Sequence, residues 1–337
     1  MKISRIAASV AVLGALTLPV HAQTFLKMDT GSAGSSAHTI ATALSNVANT
    51  HIEDLSIQIT AGQPSTKASV KAANGKTDLF ISSAAISHWM ANGERMFKTL
   101  DGHKELHANL RGIFAFPVGA YQFVVFEDSG IKTLADLRGK DVFIGPKNSA
   151  ANTFGKDVLE GAAGLIADED YNAVALDWAS MATAFQDRQV VNIMMPTSVP
   201  DARIGQIALT NKIRLLDIPD EALKHPKIAK QVSTPGRTLE SIAPDAYGDA
   251  QTNDAAVNAV GIWVGISTAA HVDEEAIYQL TKAFWENTDD VYNTAEWTRA
   301  ITRETAFKEM NIPLHPGAYR YYQEAGFDVP EAVIPQN

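Results

Sequence analysis

The sequence predicts an α/β protein of two lobes, each a mostly parallel sheet flanked by helices, joined by two crossing strands. Three observations support this prediction. Apolar, strand-like segments alternate with helical segments along most of the chain. Two of the strand–helix connections are short loops of small polar residues. Finally, the runs Leu110 to Phe126 and Val257 to Ile266 are long enough to leave one lobe and enter the other.

The composition predicts a sizeable core and an anionic surface. The chain has 337 residues, of which 46% are hydrophobic and 20% are charged, and its formal net charge is −10. No basic run offsets this charge, so nucleic acid is not expected as a partner. The chain contains no cysteine, which excludes disulfides, thiolate catalysis and cysteine-ligated metals.

The first residues have the order of parts of a secretory signal peptide. Lys2 and Arg5 precede the apolar run Ile6 to Leu18, which is too short to span a bilayer. The small residues up to Ala22 predict cleavage after that residue, and removal of residues 1–22 changes the net charge from −10 to −12. The alternatives are a retained membrane anchor and a buried core helix. Export without any disulfide fits a bacterial periplasm.

The first lobe is predicted to begin with residues 23–118. Its first strand, Phe25 to Asp29, ends in the glycine- and serine-rich loop Thr30 to His38, and a helix follows. The later elements are strand 55–59, helix 66–73 and strand 78–81. The glycines of the loop permit a close approach that a Cβ atom would prevent.

The second lobe is predicted to span residues 119–246. The strand Val142 to Ile144 ends at Gly145-Pro146, and a polar loop leads into a helix near Asn152. The later elements are helix 180–185, strand 190–194, helix 199–209 and strand 213–216.

Residues 247–337 are predicted to return to the first lobe. Asp273 is expected to cap a long helix that continues past Val291, and Pro316 and Gly326 bracket the last helix. The tyrosines of that last helix, Tyr319 to Tyr322, favour core packing over an aromatic ligand box.

Two strand–loop–helix connections of the same design predict an anion site. Each loop presents free backbone N–H groups and the positive end of a helix dipole, and Lys147 adds a full charge in the second loop. If both loops face one gap between the lobes, each can take a carboxylate. The alternative is that the polar residues only cap their helices, with Lys147 as a solvated charge.

Other candidates extend this predicted site. His38 stands at the start of the first helix, and Tyr121, Gln122 and Tyr247 lie near the crossing strands, where hinge packing is the alternative role. The full set of predicted ligand-binding residues is Gly31, Ser32, Ser35, Ser36, His38, Ser83, Tyr121, Gln122, Lys147, Asn148, Ser149, Asn152, Ser198 and Tyr247.

Six segments of the chain carry a family resemblance: residues 30–35, 78–80, 128–140, 145–149, 213–216 and 312–318. The glycine-rich first loop and the Leu-His-Pro-Gly-Ala ending are the most specific of them, whereas the segment that starts at Asp128 recurs in many binding proteins. Through these segments the chain resembles, over essentially its whole mature length, the TAXI family of solute-binding proteins that serve TRAP transporters.

This resemblance implies a periplasmic receptor with the two-lobed type II binding-protein fold. Such a receptor captures a small organic anion, a mono- or dicarboxylate such as glutamate or 2-oxoglutarate, and delivers it to the TRAP membrane permease subunits. A monomer is expected. The chain departs from the family pattern at Ala37, His38 and Ser83 and at residues 148–151, so the ligand is not carried over. A receptor for an ATP-driven importer or for a membrane sensor is the alternative.

The sequence shows none of the common catalytic motifs. A Gly-x-Ser-x-Gly elbow, a His-Glu-x-x-His helix, a dinucleotide-binding turn and a P-loop are all missing, and the nine histidines are scattered. We therefore expect no catalytic residue, no metal and no cofactor. An enzyme on the same fold is the remaining alternative.

Overall fold

The computed structural model describes residues 23–336, so the predicted signal peptide and its cleavage site lie outside the described residues. Within this range no helix has both the length and the apolar character needed to span a bilayer. The strands are β1 Thr24–Asp29, β2 Leu55–Thr60, β3 Leu79–Ser83, β4 Leu110–Phe126, β5 Asp141–Val142, β6 Asn172–Ala173, β7 Asn192–Thr197, β8 Ile213–Leu215, β9 Arg237–Ile242 and β10 Val257–Ala269. The α-helices are α1 Ser36–His51, α2 Ser65–Ala73, α3 Ala84–Asn92, α4 His103–Ala108, α5 Ala150–Ala163, α6 Met181–Gln186, α7 Ala202–Ala208, α8 Pro226–Val232, α9 Glu274–Glu286, α10 Thr288–Tyr292 and α11 Pro316–Glu324.

Eight of these strands form one continuous sheet that runs through both halves of the molecule. Its order is β2-β1-β3-β10-β4-β7, with β8 paired to β4 and β9 paired to β10. The long strands β4 and β10 pair with each other and extend into both halves, so they are the two predicted crossing strands. We call the half around β1, β2 and β3 the first lobe, and the half around β7, β8 and β9 the second lobe.

The direction of strand pairing differs between the lobes. In the first lobe β1 pairs in parallel with both β2 and β3, as expected for alternating strands and helices. In the second lobe β7 and β8 run antiparallel to β4, and β9 runs antiparallel to β10. The prediction of a mostly parallel sheet in the second lobe is therefore wrong. The crossing strands themselves form the centre of this lobe, and later strands return antiparallel beside them. Among the described strands of this lobe, β5 and β6 pair in parallel.

The strand before the second polar loop is shorter than the sequence predicts. Only Asp141–Val142 pair as β5, although Phe143 and Ile144 are buried. The side chain of Asn192 replaces a neighbouring strand, since its Oδ1 accepts from the N–H of Phe143 and its Nδ2 donates to the carbonyl of Phe143, both at 3.1 Å. The backbone N–H and carbonyl groups of Phe143 are thus hydrogen-bonded without a neighbouring β-strand.

The C-terminal helices close the first-lobe core. Asp273 caps α9 by accepting a hydrogen bond from the N–H of Ala276 at 2.9 Å, as predicted. The expected long helix is instead divided into α9 and α10, because the Asn287 side chain bonds the carbonyl of Ala283 and the backbone leaves the helical region there. In α11, the buried hydroxyl of Tyr322 donates to the carbonyl of Ile113 at 2.9 Å, so this tyrosine is part of the core.

Candidate functional site

Backbone hydrogen bonds hold the loop that follows β1 and the loop that follows β2 side by side at the edge of the first lobe. The N–H of Gly62 donates to the carbonyl of Gly31 at 2.9 Å, and the N–H of Gln63 donates to the carbonyl of Thr30 at 2.8 Å. The hydroxyl of Thr30 also donates to the carbonyl of Ala37 at 2.8 Å. These contacts place the start of α1 beside the start of α2, since both helices follow parallel strands at the same sheet edge.

Two consecutive serines at the start of α1 have different roles. Ser35 caps the helix, because its hydroxyl accepts a hydrogen bond from the N–H of His38 at 3.2 Å. Ser36 reaches the second lobe, where its hydroxyl oxygen lies 3.3 Å from the hydroxyl oxygens of Thr197 and Ser198. It also accepts a hydrogen bond from the backbone N–H of Ser198 at 3.3 Å. The N-terminus of α1 is therefore joined to the end of β7 across the gap between the lobes.

A buried polar network supports the end of β7. The Nε2 of Gln122, on the crossing strand β4, donates to the carbonyl of Ser198 at 3.0 Å. The hydroxyl of Tyr247 donates to Oε1 of Gln122 at 2.5 Å and accepts from the N–H of Asp201 at 3.1 Å. Burial raises the pKa of Tyr247, so its hydroxyl stays neutral and keeps donating. The structure thus brings together four predicted site residues: Ser36, Gln122, Ser198 and Tyr247.

Arg203 supplies the positive charge on the second-lobe side. Asp201 caps α7 by accepting from the N–H groups of Arg203 and Ile204, at 2.8 and 3.1 Å. Its buried carboxylate also holds the Arg203 guanidinium, with Nη2 at 3.1 Å from Oδ2 and Nε at 3.3 Å from Oδ1. The hydroxyl of Thr197 donates to the same carboxylate. These contacts hold the guanidinium in place, and Arg203 lines a cavity between the lobes.

This interlobe cavity has a volume of about 160 Å³. Its walls come from both lobes and from the crossing strands, and among the residues that line it, all in the described part of the chain, none is acidic. The polar lining residues are Ser32, Ser35, Ser36, Gln63, Ser65 and Arg203. The apolar side chains are Ala37, Pro64, Ile81, Val118, Trp178, Met195, Pro196, Ile262 and Val264, and Gly31 and Gly62 complete the lining. The cavity suits a small molecule with an apolar body and an anionic end.

The second polar loop lies elsewhere. Ser149 caps α5 by accepting from the N–H of Asn152 at 3.1 Å, and Lys147 is exposed. Asn148 and Asn152 line a different, more open cavity of about 530 Å³, together with Arg95, Lys98 and Lys156. The single gap predicted for both loops is therefore two cavities in the structure. The sequence could not separate them, because a loop pattern does not state which face of the lobe its helix covers.

The remaining predicted residues lie outside the interlobe cavity. His38 is half-buried on α1, and its Nδ1 makes no hydrogen bond within the described part of the chain. Ser83 lines a small separate cavity that includes Trp263. Tyr121 is buried and stacks on Phe154 of α5 with 3.8 Å between ring centroids.

Sequence reasoning missed Arg203, Gln63 and Trp178 as cavity residues. Arg203 stands two residues after Asp201, a helix-capping residue type that lies four residues beyond the end of a buried strand, and this strand–cap–cation order is a signal that could have identified it. Gln63 and Trp178 carry no local signal, since only the packing of the two lobes brings them together. Across residues 23–336, no group of three or more histidine, aspartate or glutamate side chains is arranged to hold a metal ion.

A family model described as the NMT1-like family matches residues 28–326, which is most of the chain. The chain belongs to the NMT1-like family. The residues that the family model matches include both lobes, the two crossing strands and every residue that lines the interlobe cavity.

Solved structures show the fold of this NMT1-like chain. A structure described as a periplasmic transporter is 13% identical and has a TM-score of 0.53, covering 90% of this chain and 92% of its own. The chain therefore has the periplasmic-binding-protein fold. Also similar is a TRAP periplasmic solute-binding protein from Desulfovibrio salexigens with bound orotic acid, at 12% identity, coverage of 92% and 87%, and TM-score 0.44. A similar protein from Shewanella oneidensis with bound succinate has 8% identity, coverage of 82% and 83%, and TM-score 0.47.

Proposed function

We propose that this chain is a periplasmic solute-binding receptor that captures a small organic anion, a mono- or dicarboxylate, between its two lobes. The observation that carries the proposal is the interlobe cavity, where the N-terminus of α1 and the guanidinium of Arg203 meet across the gap. Backbone N–H groups at a helix start and a fixed guanidinium are both donors that suit a carboxylate. Lobe closure would then follow from contacts that only the closed form makes to the solute.

The size of the cavity limits the solute. A cavity of about 150 Å³ in another protein holds one benzene molecule, so the 160 Å³ here suits a solute of about six to ten non-hydrogen atoms. The apolar walls formed by Ile81, Val118 and Ile262 would contact the carbon skeleton. A carboxylate buried without donors would cost several kcal/mol, and the serine hydroxyls and Arg203 of the lining are the donors available to it.

A thermal-shift screen tests this function. The mature chain, residues 23–337, is incubated with succinate, glutamate, 2-oxoglutarate, butyrate and benzoate, and with the neutral amide of each acid. A solute that binds only the folded state raises the melting temperature, by an amount set by its concentration relative to Kd. We expect at least one acid to stabilise the protein while its amide does not. Stabilisation by the amides alone would contradict an anion receptor.

We propose the TAXI type and its TRAP membrane permease as the finer assignment. The likeness of the glycine-rich loop and of the segment 312–318 to that family supports it. The same proposal includes three further points. The chain is exported to the periplasm by a signal peptide cleaved after Ala22, it is a monomer, and its lobe boundaries lie at 118/119 and 246/247. Uptake of the stabilising acid by vesicles that contain the permease and an ion gradient, only when the receptor is added, would support this partner. Uptake that instead requires ATP would contradict it.

The receptor is proposed to release its solute unchanged. NMR spectra of the stabilising acid, recorded before and after prolonged incubation with the protein, are expected to be identical. A new set of resonances that grows with time would indicate catalysis and remove the binding-protein assignment.

A further inference from the structure

A second guanidinium group is buried between the lobes. Arg237, the first residue of β9, is only 6% exposed, and its Nη1 nitrogen has no hydrogen-bond partner anywhere in residues 23–336. Three aromatic rings surround the guanidinium carbon, with centroids 5.6 Å away for Trp89, 5.4 Å for Tyr121 and 5.2 Å for Phe154. Aromatic faces attract a cation without accepting its N–H groups, and the Tyr121 hydroxyl is the one hydrogen-bond acceptor that these three side chains offer.

The three rings come from both lobes. Trp89 belongs to α3 and to the core of the first lobe, whereas Tyr121 and Phe154 belong to a core cluster of the second lobe. Arg237 pairs with Ile262 in the β9–β10 ladder, and Ile262 lines the interlobe cavity. The backbone of Arg237 therefore lies one strand away from a residue of the cavity wall, and its guanidinium lies between aromatic rings of both lobes.

The charges around Arg237 do not balance. Asp157 is the acidic residue whose charge favours the protonated guanidinium of Arg237. Its carboxylate, however, already accepts hydrogen bonds from Arg95 at 3.0 Å and from Gln231. Burial lowers the pKa of Arg237 from its ordinary value, while the Tyr121 hydroxyl and Asp157 raise it. Arg95 and Arg237 thus face the same carboxylate, so one of the two positive charges has no acidic side chain of its own among the described residues.

This site differs from the pair formed by Arg203 and Asp201. There, the guanidinium has a direct carboxylate partner at 3.1 Å. Within residues 23–336, Arg237 has no such ion pair, and Asp157 is the acidic group that acts on it. A carboxylate has two oxygens that match the N–H groups of a guanidinium, so it is the small group that fits the unpaired edge best.

We propose that Arg237 receives a second acidic group of the solute, so that the receptor binds a dicarboxylate. The first carboxylate lies at the N-terminus of α1 and Arg203, and the second lies at Arg237 between the three aromatic rings. This inference rests on the proposed receptor function and names its substrate class. The alternative is that Arg237 is a structural residue held only by its aromatic neighbours.

A comparison of ligand and protein variants tests the proposal. Succinate and its monoamide succinamate differ in one charged group and have nearly the same size. Their affinities are measured by calorimetry on the wild-type mature chain, on Arg237→Met, on Arg237→Lys, and on Arg138→Met as a control in which an exposed arginine is lost. The melting temperature of each protein is recorded without ligand. 2-Oxoglutarate and its corresponding monoamide form a second pair.

The wild type should bind at least one dicarboxylate at least tenfold more tightly than the monoamide, and Arg138→Met should match it. Arg237→Met should lose this preference, its affinity for the monoamide staying within a factor of about two. Without ligand, Arg237→Met should melt at the same temperature as wild type or higher, because it removes an unpaired buried charge. Arg237→Lys should keep part of the preference, since lysine retains the charge but not the planar fork.

Three outcomes would overturn the inference. A preference for the dicarboxylate that is unchanged in Arg237→Met and Arg237→Lys would show that the second acidic group binds elsewhere, while the receptor function stands. A structural role for Arg237 would follow from two results together. Arg237→Met would melt at a lower temperature than the wild type, and Arg237→Lys would prefer the dicarboxylate over the monoamide as strongly as the wild type does. Binding of neither acid nor of any other carboxylate by the wild type would remove the anion receptor and this inference together.

Discussion

The hydroxyl oxygen of Ser36 lies 3.3 Å from the hydroxyl oxygen of Ser198, although the two residues are 162 positions apart in the chain. Ser36 is in the first turn of α1, and Ser198 directly follows β7. Both residues are buried. Their contact is therefore a direct polar connection between the two lobes, located at the interlobe cavity.

We expect Ser36→Ala to weaken this connection. Alanine keeps the helix and leaves the Ser35 cap intact, but it removes hydrogen bonds worth about 1 kcal/mol in total. The affinity for the stabilising acid should fall about fivefold. X-ray scattering should show a larger radius of gyration for the variant without ligand. Ser233→Ala, at an exposed serine after α8, is the control and should change neither quantity. Equal affinity and scattering for Ser36→Ala would contradict a role in closure.

Arg203→Met should reduce anion binding, whereas Lys147→Met should not. Arg203 lines the interlobe cavity, and a lost hydrogen bond to a charged group costs about 1.5–3 kcal/mol, or roughly ten- to a hundredfold in Kd. Lys147 is exposed and is not among the cavity residues, so its loss should change Kd less than twofold. Calorimetry with the stabilising acid measures both values. The reverse result would move the anion site to the loop before α5.

Asp201→Ala should destabilise the fold more than a simple loss of a helix cap. Its carboxylate accepts from two backbone N–H groups, from the hydroxyl of Thr197 and from the guanidinium of Arg203. Removing it leaves that guanidinium without its partner, so we expect a loss of about 3 kcal/mol in the free energy of unfolding. Asp273→Ala removes a cap with a single N–H contact and should cost about 1 kcal/mol. Urea denaturation compares the two variants, and equal losses would contradict the network.

Stability should fall as the pH drops from about 6.5 to about 4 through His315. Burial lowers its pKa from 6.5 to about 4 in the folded state. Its Nδ1 accepts from the N–H of Gly317 at 3.3 Å, and its Nε2 lies 3.1 Å from the carbonyl of Val272, which fits the neutral ring. Because the unfolded chain binds a proton at a higher pH than the folded chain, the contribution is complete above pH 6.5. Roughly 3 kcal/mol is lost by pH 4.

His315→Asn should flatten this part of the pH profile. Asparagine is a good helix cap but does not titrate, so the free energy of unfolding should depend less on pH between 6.5 and 4 than in the wild type. Urea denaturation at pH 7, 5.5 and 4.5 measures both proteins. Parallel profiles would show that another group causes the acid sensitivity.

Gly119→Ala should disrupt the crossing region severely. Gly119 has φ +139°, and a Cβ atom there would lie 2.1 Å from the carbonyl oxygen of Thr197 and 2.7 Å from Cα of Ser198. Both atoms belong to backbone that cannot move without breaking the network at the end of β7, so we expect a loss of more than about 3 kcal/mol. Gly139→Ala is the matched control, since its φ is +71° with open space around it, and it should cost about 1 kcal/mol. Unfolding by urea compares them, and similar losses would contradict the close packing.

The sequence already contained the local features of the site. The loop Thr30 to His38 predicted the start of a helix, and α1 begins there, with Ser35 in the capping role that the sequence left as the alternative. Leu110 to Phe126 predicted a crossing strand, and β4 has those bounds. Features of this kind depend on neighbours within a few residues, such as a capping hydroxyl or a continuous apolar run. Local sequence therefore defines them.

The direction of the strands in the second lobe was decided by tertiary structure. Alternating strands and helices predict parallel pairing, but β4 and β10 supply the central strands of that lobe and impose antiparallel neighbours. The division of the expected long helix at Asn287 is a smaller case, where one side chain competes for a backbone carbonyl.

The sequence by itself determined the alternation of elements, the helix caps and the two crossing strands, because these follow from periodicity and from contacts within one turn. The tertiary structure alone decided which charges face the gap. It placed Arg203 at the interlobe cavity, left Lys147 exposed, and buried Arg237 among rings from both lobes. The physical reason is that burial and charge pairing depend on residues far apart in the chain, which no local pattern brings together.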